Sequence, residues 1–193
     1  MADSTTYQEA LKFILDVEKG YVDDPNDDGG ETNWGITDKL DGKVDGLIDV
    51  DGDGKGDVPV KQLTPKQAGI IYKRDFWNFV HGDQLPPALA LFTFDMAVNN
   101  GKYRAVKFLQ TACGVDDDGV IGNTTLTAAQ KPGVLEKLET ARIAFYKSLP
   151  KYPRFGKGWM NRVNKCIALC ADFEQHIANL SKTKASAPAS AKA

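Results

Sequence analysis

The chain has 193 residues, a formal net charge of −2, 42% hydrophobic and 26% charged residues, the profile of a globular protein with one core, or one core and a small appendage. It has no run of about 18 apolar residues able to cross a membrane. Neither the excess positive charge nor the motifs of a nucleic-acid binder are present, and the three cysteines, an odd count with Cys166 and Cys170 one turn apart on an apolar helix face, read as reduced and structural.

The first helix is expected from Thr6 to Lys19. At 3.6 residues per turn Tyr7, Leu11, Ile14 and Glu18 share one line, with Ala10, Leu15 and Val17 beside it, while Glu9, Lys12, Asp16 and Lys19 take the wet face. Glu18 is thereby expected on the buried stripe, at a helix end. Desolvation and the negative end of the helix dipole both disfavour a carboxylate there, the setting of a general acid. A structural Glu paired with a distant base fits the same pattern. Gly20 breaks the helix, and Tyr21-Val22-Asp23-Asp24-Pro25-Asn26-Asp27-Asp28-Gly29-Gly30-Glu31-Thr32-Asn33-Trp34-Gly35-Ile36-Thr37 follows, with strand character only over Thr32–Ile36.

These residues carry a resemblance. Glu18-Lys19-Gly20-Tyr21, Asp24-Pro25, Asp27, Gly29-Gly30, Thr32 and Gly35-Ile36-Thr37 are similar to the signature of glycoside hydrolase family 108, with Lys19 in place of a usual glycine. The family consists of N-acetylmuramidases, mostly phage endolysins and prophage lysozymes. The resemblance implies a mainly α, lysozyme-like helical fold with a small polar β/loop region near residues 21–60. It makes Glu18 the general acid. By analogy with phage lysozymes that use a Glu, Asp, Thr set, Asp27 and Thr32 are the further catalytic candidates, Asp24 the alternative to Asp27. Tyr21, Asn33 and Trp34 are expected to line the sugar cleft. The implied reaction cleaves the β-1,4 bond between N-acetylmuramic acid and N-acetylglucosamine in peptidoglycan. The alternatives are a non-catalytic wall-binding or tail structural protein, and a lytic transglycosylase. Catalysis of this kind needs no cofactor.

Beyond Thr37 the chain is acidic and glycine-rich. Asp49-Val50-Asp51-Gly52-Asp53-Gly54-Lys55-Gly56-Asp57 places acids at positions 1, 3, 5 and 9, Gly at 6 and Lys55 at 7 of a calcium loop. The twelfth residue is Val60 instead of the bidentate Glu. A structural Ca²⁺ is expected on Asp49, Asp51, Asp53, Lys55 and Asp57, against the plainer reading of a solvated loop of Asp-Gly turns.

Thr64-Pro65-Lys66-Gln67 is a capping box that opens the next helix, which continues through Ile71, Tyr72 and Phe76 toward Trp77 and Phe79. Ala88–Asn99 is apolar all round and therefore central, with Asp95 as its one acid, read as a satisfied structural partner or a cleft residue. Lys102–Ala112 follows. Asp118-Gly119-x-Ile121-Gly122-x-x-Thr125 is similar to the type-3 peptidoglycan-binding segment of the same family; from the residues alone it is a turn and a helix start. Helices are expected near 133–149 and 158–180, with a basic and aromatic loop, Pro150–Lys157, between them and a disordered tail over 181–193.

The domain reading is a catalytic region over 1–84 and a helical peptidoglycan-binding region over 85–180, packed as one globule. Residues 1–60 hold 16 acids and 5 bases, whereas residues 131–193 hold 12 bases and 4 acids. The basic region is a solvated face, or a surface that steers the protein onto anionic wall or outer membrane. A monomer is expected, with peptidoglycan as partner. The first residues lack the basic and apolar parts of a signal peptide, which for an endolysin implies host cytoplasm until holin-mediated release to the periplasm.

Overall fold

The computed structural model describes residues 4–18, 20–23 and 30–186. Its α-helices are α1 (Thr5–Val17), α2 (Pro65–Tyr72), α3 (Pro87–Asn100), α4 (Lys102–Cys113), α5 (Asn123–Ala129), α6 (Val134–Ser148) and α7 (Tyr152–Ser186). The strands are short: β1 (Tyr21–Val22), β2 (Thr32–Asn33), β3 (Ile36–Thr37), β4 (Leu47–Ile48) and β5 (Val58–Pro59). The chain is mainly α, and every described strand lies in the polar region between residues 21 and 59, which agrees with a lysozyme-like fold. None of the described helices is long and apolar enough to cross a membrane.

Two compact units are present, one comprising Glu9–Phe79 and the other the residues before Glu9 and after Phe79. In the first, Ala10 and Ile14 are fully buried on α1. The Ile36 and Ile71 side chains, with Ala68, Tyr72 and Trp77, make up much of its remaining core. Strands β1, β2 and β3 form an antiparallel sheet, with Tyr21 opposite Asn33, Val22 opposite Thr32, and Asn33 opposite Ile36. The single strand expected over Thr32–Ile36 is thus a hairpin. Trp34 and Gly35 form its two-residue turn with φ of +51° and +73°, the mirror-image geometry that matches strand twist. A second antiparallel pair, β4 and β5, closes the base of the acidic loop.

Helix α2 starts as its sequence dictates. The Thr64 hydroxyl accepts the Gln67 N–H at 3.3 Å, and the Gln67 side chain accepts the Thr64 N–H at 3.0 Å. From Lys73 to Trp77 the helix widens into a π-helical turn, a form often found at functional sites.

The second unit is built around α3, which packs on α4 and α7. Leu89, Leu91, Phe92, Phe94 and Met96 are all buried, so every face of α3 is covered. Asp95 is also fully buried and lies between two guanidinium groups: Arg142 Nη1 at 2.7 Å from one carboxylate oxygen, Arg162 Nε at 2.9 Å from the other. This acid is a structural partner. Burial weakens the Arg142 charge, but Asp95 outweighs it and holds the guanidinium above its ordinary pKa. Cys166 and Cys170 are free, buried thiols; burial, followed by a hydrogen bond with Cys170, pushes the Cys166 thiol well up.

Three boundaries differ from expectation by more than a residue: α1 ends at Val17, short of Lys19, and α7 departs at both ends. The basic and aromatic segment is largely helical, because Pro153 suits a first helical turn and α7 begins at Tyr152. At its other end α7 passes Leu180 and continues to Ser186, where Lys and Ala are good helix formers.

Candidate active site

Glu18 follows the last residue of α1, and its N–H still bonds the Ile14 carbonyl at 2.9 Å, so the helix fixes its backbone. Its side chain is half-buried, not on the sealed stripe. Along the expected stripe burial alternates: Tyr7 and Ile14 are buried, Leu11 and Glu18 are partly open. A carboxyl in this position can reach solvent and be reached from it.

The hairpin turn passes directly over this carboxyl. A Cβ added to Gly35 would lie 2.8 Å from the Glu18 Cβ, 2.9 Å from Glu18 Oε2 and 2.5 Å from Tyr72 Oη. Only a residue without a side chain fits, and only glycine takes φ +73° without strain. The turn is held by Tyr72, fully buried on α2, whose hydroxyl donates to the Trp34 carbonyl at 2.8 Å. The Trp34 N–H in turn bonds the Gly20 carbonyl at 3.3 Å. Trp34 is half-buried and held in the left-handed region, where a bulky side chain is costly. Helix end, turn and tyrosine therefore form one constellation around Glu18.

The other expected residues separate into groups. Thr32 is half-buried on β2, opposite Val22 and Thr37. Tyr21 is 36% exposed with Lys61 Nζ over its ring at 5.6 Å. Partial burial, then a hydrogen bond to Glu31 and the charges of Glu31 and Asp23, raise its phenol pKa. Asn33 is different. It is buried, and its amide donates to the carbonyls of Val60, Lys61 and Leu63 at 2.9, 3.2 and 3.4 Å. Its nitrogen is committed to bracing the turn before α2, a structural role for a residue expected at the sugar cleft. Asp27 and its alternative Asp24 lie outside the described residues.

In the acidic loop the carboxylates of Asp49, Asp51 and Asp57 can present oxygens within 4.8 Å of one another. Asp53 does not join them: it accepts the Lys55 N–H at 2.9 Å and faces Lys55 Nζ at 3.3 Å. Asp49 is buried, and its two oxygens accept the N–H groups of Gly52 and Gly54 at 2.6 and 2.9 Å. Desolvation opposes its ionisation, but these bonds and nearby Arg74 outweigh it and hold the carboxyl below the usual range. Arg74 comes from the π-helical turn, pairs with Asp75 at 2.7 Å and donates to the Val50 carbonyl at 3.1 Å. Hard oxygen donors at this spacing suit a calcium ion, while Arg74 already supplies one positive charge to the same loop.

Two of these contributors were not singled out by sequence reasoning. Tyr72 reads as core from its spacing on α2, and nothing local signals that its hydroxyl crosses to the hairpin. Arg74 has no local signal for its contact with the acidic loop either. The positive φ at Trp34 likewise has no sequence signal except the glycine that follows it.

The pattern of the Glycosyl hydrolase 108 family matches residues 11–101, and that of a Predicted Peptidoglycan domain matches residues 104–164. The first match runs through α3 and the second begins in α4. No curated protein matches the sequence. Among solved structures, one described as the structure of Brucella abortus SagA is 38% identical, with a TM-score of 0.73, covering 88% of this chain and 95% of its own. Glu18, at the end of α1 beneath the Trp34–Gly35 turn, falls within the hydrolase match, and the chain belongs to the glycosyl hydrolase 108 family of glycoside hydrolases.

Proposed function

We propose that the protein is a muramidase hydrolysing the β-1,4 bond between N-acetylmuramic acid and N-acetylglucosamine in peptidoglycan, with Glu18 as general acid. The observation that carries this reading is the close packing of the hairpin turn, held by Tyr72, against Glu18, in a chain of glycoside hydrolase family membership. The match to a peptidoglycan domain supports the choice of polymer. Glu18 donates its proton to the leaving glycosidic oxygen as positive charge builds at the sugar carbon. The hydrolytic water is then activated by a second group on the opposite face. Thr32, on the strand beside the turn, and Asp27 are the residues assigned to that second role. Tyr21 and the ring of Trp34 provide the sugar-facing surface. The biological setting is that of a phage endolysin, and a structural cation on Asp49, Asp51 and Asp57 belongs to the same reading.

The reading is tested with the Glu18→Gln variant on purified peptidoglycan. Removing a general acid costs roughly 10²–10⁴ in rate, while the neutral amide fits the same space and leaves thermal stability equal or higher. Clearing at an unchanged rate would remove Glu18 from the mechanism. Mass spectrometry of released muropeptides separates hydrolysis from transglycosylation: reducing muramic ends are expected, and 1,6-anhydro ends would replace this reading with a lytic transglycosylase. Zymography with no clearing by the unmodified chain would leave the wall-binding alternative.

A further inference from the structure

The second unit contains a groove of about 470 Å³ where the end of α5 meets the start of α6 and the α7 surface. Its floor is apolar, including the buried residues Leu89, Ala129 and Val134. Its charged side chains are Lys131, Glu136 and Glu174, all exposed. Among the described residues none of these three makes an ion pair, although charged partners of both signs line the same groove. Lys131 also borders an adjacent open groove of about 400 Å³, lined by Asn123, Thr124 and Thr127. The hydrolase chemistry does not use any of these residues.

We propose that this groove receives the peptide stem of peptidoglycan, a short chain bearing free carboxylates, a free amine and small apolar side chains. The proposal rests on the peptidoglycan reading above. Charge complementarity selects the occupant. A carboxylate of the stem faces Lys131, its amine faces Glu136 and Glu174, and alanine methyl groups rest on the apolar floor. A neutral glycan is a poorer fit, because no aromatic ring lies among the described residues lining either groove to stack on a sugar face. The volume is in the range of small-ligand sites.

The experiment uses the full chain and a synthetic stem tetrapeptide, L-Ala-γ-D-Glu-diaminopimelate-D-Ala, titrated by NMR, with chitotetraose as the glycan probe. Tetrapeptide-induced amide shifts are expected at residues 129–136 and 170–174. Lys131→Glu turns an exposed attraction into a repulsion and weakens tetrapeptide binding about tenfold, and Glu174→Lys weakens it in the same direction. Thermal unfolding of each variant establishes that it is folded. The proposal is overturned if the tetrapeptide shifts none of these amides at millimolar concentration, if chitotetraose shifts them in its place, or if folded Lys131→Glu binds unchanged. Dye release from purified sacculi reports catalysis separately. Tetrapeptide binding without dye release supports the groove and refutes the muramidase reading; dye release without tetrapeptide binding does the opposite.

Discussion

Gly35→Ala isolates the constellation around Glu18. The new methyl would fall 2.5 Å from Tyr72 Oη, 2.8 Å from the Glu18 Cβ and 2.9 Å from Glu18 Oε2. The Glu18 Cβ is fixed by the helix end and Tyr72 Oη by a buried ring, so neither moves aside easily. A left-handed conformation costs a non-glycine residue roughly 1–2 kcal/mol, and forcing a methyl into filled space costs roughly 1–3 kcal/mol more. A total of about 2–5 kcal/mol is therefore expected in chemical denaturation. The loss of activity should be disproportionate. Relieving these contacts displaces the carboxyl by a large part of an ångström, and misplacement on the order of 1 Å costs about 10² in rate. Adding Tyr72→Phe removes the closest of the three contacts, so the double variant should be more stable than the two single losses summed. The assays are denaturant unfolding and peptidoglycan turbidity for all three variants. Full activity and stability in Gly35→Ala would refute the geometry, and strict additivity with Tyr72→Phe would remove Tyr72 from it.

Three further outcomes follow from other parts of the molecule. Asp95→Ala strips the shared counter-charge from Arg142 and Arg162, a buried break worth about 3–5 kcal/mol, and a loss below about 1 kcal/mol in urea unfolding would contradict the assigned pairing. Asp118 accepts hydrogen bonds from the Val120 N–H at 2.8 Å and the Gln110 amide at 2.7 Å, which hold its pKa below the ordinary range. Its stabilising effect is thus complete above the unfolded value of about 3.9 and fades as pH falls through the lower folded value. The stability gap between the wild type and Asp118→Asn should be constant near neutrality and close in acid; a gap independent of pH would count against it. For the acidic loop, chelation should lower the melting temperature and Ca²⁺ should restore it, with the effect absent in Asp51→Asn. An unchanged melting temperature on chelation would leave Arg74 as the loop's cation.

The sequence alone determined those features whose physics is local. Helical periodicity fixed α1 and the all-round apolar α3, the Thr64–Gln67 capping box fixed the start of α2, and the run from Glu18 to Thr37 carried the family. The same periodicity assigned Glu18 to a sealed stripe, because spacing specifies a face of a helix but not how far the cover extends past its last turn. Asn33 had a polar side chain in a motif rich in candidates, and only the fold revealed that three carbonyls more than 25 residues away use it. The Tyr72 hydroxyl, 38 residues from the Trp34 carbonyl, and Arg74 beneath the acidic loop are likewise long-range contacts. Hydrogen bonds between distant segments depend on where the chain has brought them, and no pattern in the neighbouring residues encodes that; only the tertiary structure could decide which polar groups surround Glu18 and which merely hold the scaffold.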